Sequence, residues 1–128
     1  MKLSNQALLN CVSVLRRLNQ LELPVRMAFV LSKNAKLIEK ELGHYSEARE
    51  KLVKEYAVLD ENDMPLADEH GNLQFKEGCT ENWNADINEL LNIEVNVKVQ
   101  LLSIHDLFKS DLMITPQELS LIEFMIKE

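Results

Sequence analysis

The chain has 128 residues, 46% of them apolar and 27% charged, a composition that fits one folded domain of ordinary size. That mixture excludes bulk disorder, a collagen-like repeat and a disulfide-rich miniature scaffold, and no apolar run approaches the ~18 residues that a membrane-spanning helix needs. The net charge of −7 speaks against nucleic acid as a partner, because such binders carry a basic footprint.

The charge is uneven along the chain. Residues 1–57 hold ten Lys/Arg against six Asp/Glu, a balance of +4, whereas residues 58–94 hold one Lys against ten acids, a balance of −9. The basic part interleaves both signs, as a solvated helix surface does. The acidic middle is either a solubilising segment or an anionic docking surface, with Asp60, Glu61, Asp63, Asp68 and Glu69 at its centre.

In chain order, Ser4 is a good N-cap, and Leu8, Cys11, Leu15 and Leu18 recur at helical steps, which predicts a first helix from Ser4 to Leu21. Pro24 suits the first turn of a second helix, because its missing N–H would be unpaired there in any case. So short a connection makes an antiparallel hairpin. The second helix is expected to run to about Ala57, since it meets no proline and only Gly43. Its seam positions Leu31, Ala35, Ile38, Leu42, Tyr45, then Ala48 or Arg49, then Leu52 and Tyr56 follow steps of four and three, a coiled-coil-like seam. At 1.5 Å per residue that helix spans roughly 50 Å and the first roughly 27 Å. The far half therefore needs another cover: the C-terminal helix, a sheet or a second subunit. Leu42, Tyr45, Leu52 and Tyr56 are accordingly the candidate partner or self-association residues. Val25 to Leu31 is apolar almost all round, which predicts burial at the centre of the domain.

Residues 58–79 change character. Leu66-Ala67-Asp68 and Leu73-Gln74-Phe75 flank Glu69-His70-Gly71-Asn72, the pattern of a hairpin. Thr80 is placed to cap a short helix with Trp83, Ile87, Leu90 and Leu91 inward. Ile93, Val95, Val97, Val99 and Leu101 then alternate with polar residues, which predicts a strand wet on one face and paired with the hairpin. Thr115-Pro116-Gln117-Glu118 is a capping box with proline in the first turn, and Leu119, Ile122, Phe124, Met125 and Ile126 supply the buried face of a closing helix. No internal repeat is evident. The expected fold is α+β in a single domain, 1–128. A helical hairpin (1–57) precedes a small antiparallel sheet of about three strands with short helices (58–128).

Chemistry is sparse. His44, His70 and His105 lack the paired spacing of a zinc site, so no metal is expected. The run from Asp60 fails as an EF-hand loop, which needs glycine at its sixth position where this chain has Pro65. There is no nucleophile elbow, P-loop or dinucleotide-binding glycine motif, so neither a cofactor nor catalysis is expected. Ser103, His105 and Asp106 lie close in sequence but lack an oxyanion site. The N-terminus lacks the apolar core of a signal peptide, and Cys11 and Cys79 are expected to be free thiols of an intracellular protein.

Several segments together resemble a family of small uncharacterised proteins encoded by phages and prophages of Gram-positive bacteria. They are Met1-Lys2-Leu3-Ser4-Asn5, Leu23-Pro24-Val25, Ser32-Lys33-Asn34, Glu50-Lys51-Leu52-Val53, Asp68 to Phe75, and Ile114-Thr115-Pro116-Gln117-Glu118-Leu119 through Phe124-Met125-Ile126. The resemblance covers nearly the whole chain and carries no site residues. It implies a phage context, in the cytoplasm of a bacterial host or in the virion. The expected function is non-enzymatic protein–protein contact in particle or tail assembly, with a phage structural protein or a second copy as partner. The alternative is an acidic inhibitor of a host or defence enzyme, docking through residues 58–94.

Overall fold

Ser4 opens the first helix as its sequence demands: the Oγ accepts the Ala7 N–H at 3.1 Å. In the computed structural model, which describes residues 1–128, the elements are β1 (Lys2–Ser4), α1 (Asn5–Leu18), α2 (Val25–Tyr56), α3 (Thr80–Asn92), β2 (Glu94–Asn96), β3 (Leu102–Ser103), α4 (Ile104–Lys109), α5 (Pro116–Ile122), a 3₁₀ turn (Glu123–Met125) and β4 (Ile126–Lys127). The class is α+β, with the long α2 packed on α1 and a C-terminal helix, as expected. The chain forms two compact units, Met1–Leu42 with Glu94–Glu128, and Gly43–Ile93. The division therefore falls inside α2 and at the end of α3. A continuous helical pattern hides such a boundary.

In the first unit, Leu8, Cys11, Leu15 and Leu18 of α1 are fully buried, as are Met27, Leu31 and Ile38 of α2. Burial pushes the Cys11 thiol up to about 11, against the smaller opposing pull of its own backbone N–H, and the thiol donates to the Leu8 carbonyl at 3.3 Å. Arg16 pairs with Glu39 at 3.0 Å, tying the two helices on their wet side. The first turns of α2 correct one expectation. Val25 is 87% and Phe29 62% exposed, so the segment is covered on one side only, through Met27, Val30 and Leu31.

The strand elements also differ from expectation. Two two-stranded sheets form, one antiparallel (β1 with β2) and one parallel (β3 with β4). In the first, Leu3 faces Val95, so the alternating segment pairs with the N-terminus and not with the hairpin. The alternation also breaks. Val97 is buried, but Leu101 is exposed and Leu102 is buried in its place. The cause is Asn34, a fully buried side chain on α2. Its Oδ1 accepts the Gln100 N–H at 2.7 Å and its Nδ2 donates to the Gln100 carbonyl at 2.9 Å. One amide thus satisfies both backbone groups of a residue without a ladder partner, and it fixes where the chain turns inward.

The closing helix is shorter than its apolar pattern suggests. α5 ends at Ile122, and after the 3₁₀ turn Ile126 pairs with Leu102. Ile122 and Met125 are fully buried, whereas Leu119 is exposed. The capping box is present: the Thr115 hydroxyl accepts the Glu118 N–H at 3.1 Å, and Glu118 accepts the Thr115 N–H at 3.2 Å.

The second unit centres on Val53, Ala57 and Trp83, with Leu52, Tyr56, Leu73, Phe75 and Ile87 packed against them. Phe75 and Trp83 lie with ring centroids 5.2 Å apart, and the Arg49 guanidinium sits 5.8 Å from the Trp83 ring. Cys79, not Thr80, takes the N-cap position of α3 and makes no side-chain cap bond.

Residues 57–76 hold a repeat that composition conceals. Val58 N–H donates to the Gln74 carbonyl, Gln74 N–H to Leu66 and Leu66 N–H to Val58, a closed three-way ring of residues spaced eight apart. Isolated bridges at Ala57–Phe75, Leu59–Pro65 and Ala67–Leu73 flank it. Two turns in it are alike. Asp60 Oδ1 accepts the N–H groups of Asn62 and Met64, and Asp68 Oδ1 those of His70 and Asn72. The fourth residue of each turn has positive φ, 61° at Asp63 and 81° at Gly71. The expected hairpin is thus the second member of an eight-residue repeat.

Two predictions follow from these contacts. Asn34→Ala removes both bonds to the Gln100 backbone and leaves a gap where a buried side chain stood, so chemical denaturation should show a loss of about 1–3 kcal/mol. In the repeat, Gly71→Ala forces an alanine to positive φ and should cost about 1 kcal/mol, whereas Asp63→Gly should be neutral or stabilising by up to about 1 kcal/mol. Equal effects at the two positions would contradict the repeat.

Candidate interaction site

α4 starts because Ser103 caps it, its Oγ accepting the His105 N–H at 3.2 Å. That cap ties the Ser103 hydroxyl oxygen to the backbone of His105. The helix is only six residues long, and it places Ile104, Leu107 and Phe108 on one side, three and four residues apart. Ser110 ends it: both its N–H and its hydroxyl bond to the Leu107 carbonyl, at 3.2 and 2.7 Å. The chain then runs without regular structure past Leu112 and Ile114 to the capping box of α5, which adds Pro116 and Leu119. Ile126 of β4 closes the far wall.

These side chains line an apolar groove of about 480 Å³, wholly within the first unit. Phe108 is 77% exposed there, and Met113, between the lining residues Leu112 and Ile114 in sequence, is exposed as well. The charged residues of the lining are Glu123 and Glu128, and neither has an ion-pair partner. The volume is that of an ordinary binding pocket. A chain that leaves a phenylalanine, a leucine and a proline together at the surface has a place for an apolar partner group.

The groove is braced from α1. Arg17 grips Glu118 through two bonds, Nε to Oε2 at 2.6 Å and Nη2 to Oε1 at 2.9 Å, and its Nη2 reaches the Met113 carbonyl at 3.4 Å. The Arg17 guanidinium, then the backbone N–H of Thr115, hold the Glu118 carboxyl below the ordinary glutamate range.

The residues singled out from sequence lie elsewhere. Leu42 and Tyr45 are buried at 8% and 9% exposure, and Leu52 and Tyr56 pack on the Trp83 cluster. Leu52 and Tyr56 therefore find cover within their own unit. The Tyr56 hydroxyl donates to Asp86 at 2.6 Å, and that bond, with burial and nearby negative charge, pushes it up to about 12. Asp60 and Asp68 spend a carboxylate oxygen on their own turns. Glu61, Asp63 and Glu69 are exposed at the turn tips. No three His, Cys, Asp or Glu side chains converge in a metal-holding group. No helix is long and apolar enough to cross a membrane.

The groove residues had one signal in the sequence: Leu107-Phe108 and Leu112-Met113-Ile114 are apolar but belong to no periodic element. With the geometry in hand, comparison adds nothing: no family model, curated protein or solved structure matches the chain.

The Arg17–Glu118 pair predicts a pH dependence. A depressed carboxyl value means stability that is present above the ordinary value of 4.5 and lost as pH falls through the lower folded value. Glu118→Gln keeps the cap acceptor but not the charge. Its melting temperature should lie a few degrees below that of the parent at neutral pH, and the gap should close on acidification. A gap that is constant with pH would contradict the assignment.

Proposed function

We propose that this chain is a non-enzymatic phage or prophage protein that works by protein–protein contact in particle or tail assembly. The observation that carries the binding reading is the groove. Phe108, Leu119 and Pro116 form an apolar, open concavity whose walls are short elements fixed by caps and by Arg17. The lining is mostly hydrocarbon, which suits recognition of an apolar side-chain cluster from another polypeptide. The phage setting rests on the family resemblance and accounts for a small protein built around contact surfaces.

The acidic inhibitor reading keeps one specific support. The two Asp-closed turns hold Glu61, Asp63 and Glu69 at exposed tips on a rigid, hydrogen-bonded base. A basic target would meet them without an ordering cost.

Capture of the tagged full chain from phage-producing cells tests both. Head or tail proteins should be recovered with the parent chain and lost with Phe108→Asp, while Glu61→Gln with Glu69→Gln leaves recovery unchanged. Recovery of a host enzyme instead, lost with the glutamine pair and weakened by salt, would replace assembly by inhibition. Recovery of phage proteins that is indifferent to Phe108→Asp would overturn the groove as the binding site.

A further inference from the structure

The first unit leaves a second apolar surface uncovered, and its charge is opposite to that of the groove. Val25 and Phe29 stand one turn apart on the exposed face of α2. Arg26, Lys33 and Lys36 lie among them, and no acidic residue occurs between Glu22 and Glu39. The Lys33 ammonium sits 5.6 Å from the centre of the Phe29 ring, and none of the three cations pairs with a carboxylate. The groove presents the complement: hydrocarbon walls with Glu123 and Glu128, both without a cation.

Resting on the contact-module reading, we propose that the groove of one copy receives the exposed α2 face of a second copy. Phe29 is the anchor that enters beside Phe108, Val25 packs next to it, and Arg26 and Lys33 meet Glu123 and Glu128. An amphipathic helix face laid into an apolar groove is a common mode of recognition, read through anchors at i and i+4. Burying two exposed aromatic rings against each other supplies the apolar gain, and the unpaired charges set the orientation. Phe29 occupies a different patch from the groove, so the contact is heterologous. Each bound copy offers a fresh groove or a fresh helix face, and subunits add head to tail into a ring or an open filament.

The test uses the purified full chain alone, by light scattering and sedimentation from micromolar to millimolar concentration. The parent should grow in mass with concentration in steps of 14.8 kDa, and added salt should weaken the growth. Phe29→Asp and Phe108→Asp should each weaken association by roughly tenfold or more. Both side chains are exposed, so circular dichroism should show each variant folded. Mixed in equal amounts, the two variants should form a one-to-one dimer and stop there, since together they retain one groove and one helix face. Lys33→Glu should weaken association, and Glu123→Lys should restore it when combined in the same chain. A parent that stays monomeric throughout, a mixture that stays monomeric, or assembly indifferent to both aspartates would overturn the second-copy assignment. None of these outcomes touches capture of a different protein by the groove, which the phage-cell experiment reads separately.

Discussion

One buried carboxamide organises the first unit. Asn34 stands on α2 among apolar neighbours, where an unpaired amide would cost more than any packing it provides. Its two bonds to Gln100 satisfy it and fix the phase of the following chain. Because Gln100 is held there, Leu102 turns inward, Ser103 falls where it caps α4, and Leu102 meets Ile126 in the parallel sheet. The same amide reaches the Met125 sulfur at 3.4 Å, at the end of the 3₁₀ turn. The near wall of the groove (α4) and the far wall (β4) both descend from this one anchoring point. A polar side chain in the core thus buys definition for a surface a few residues away.

That constraint also marks the limit of what the sequence makes legible. Caps are local chemistry, so Ser4 and the Thr115-to-Glu118 box are readable in advance and are found in place. The length of α2 is readable because nothing interrupts it. The phase of the segment after Val97 is not readable. Alternation from Ile93 to Leu101 points to one continuous strand, and only a tertiary partner, Asn34, explains why the pattern shifts to Leu102. Burial at the start of α2 fails for a similar reason. An apolar run says that a segment can be covered, not that the chain has enough mass to cover it on every side. Leu52 and Tyr56 show the converse, since their own unit covers them.

The eight-residue repeat escapes a composition reading because its members share geometry more than identity. Val58, Leu66 and Gln74 occupy equivalent places in the ring of backbone bonds, yet one of them is polar. Asp60 and Asp68 close their turns alike, whereas Lys76 stands eight residues on from Asp68. The acidity of this segment therefore has a structural component. Two of its carboxylates accept backbone N–H groups, and the remainder are carried outward on the turns those bonds create. Net charge alone cannot separate these two roles, but hydrogen-bond geometry does.

The distribution of exposed apolar groups decides how the first unit is best understood. Val25 and Phe29 are spaced as a helix presents them, and Phe108 and Leu119 are spaced as two short elements enclose a hollow. Neither surface is scattered in the manner of incidental exposure, and each carries unpaired charge of one sign. A domain built only for its own stability gains by pairing Lys33 or Glu123 with a neighbour, as Arg16 does with Glu39 and Arg17 with Glu118. On both faces those charges stand open beside uncovered hydrocarbon. In the contact proposed between two copies, each face meets the other, hydrocarbon to hydrocarbon and cation to carboxylate. A contact of that kind repeats itself with each added subunit.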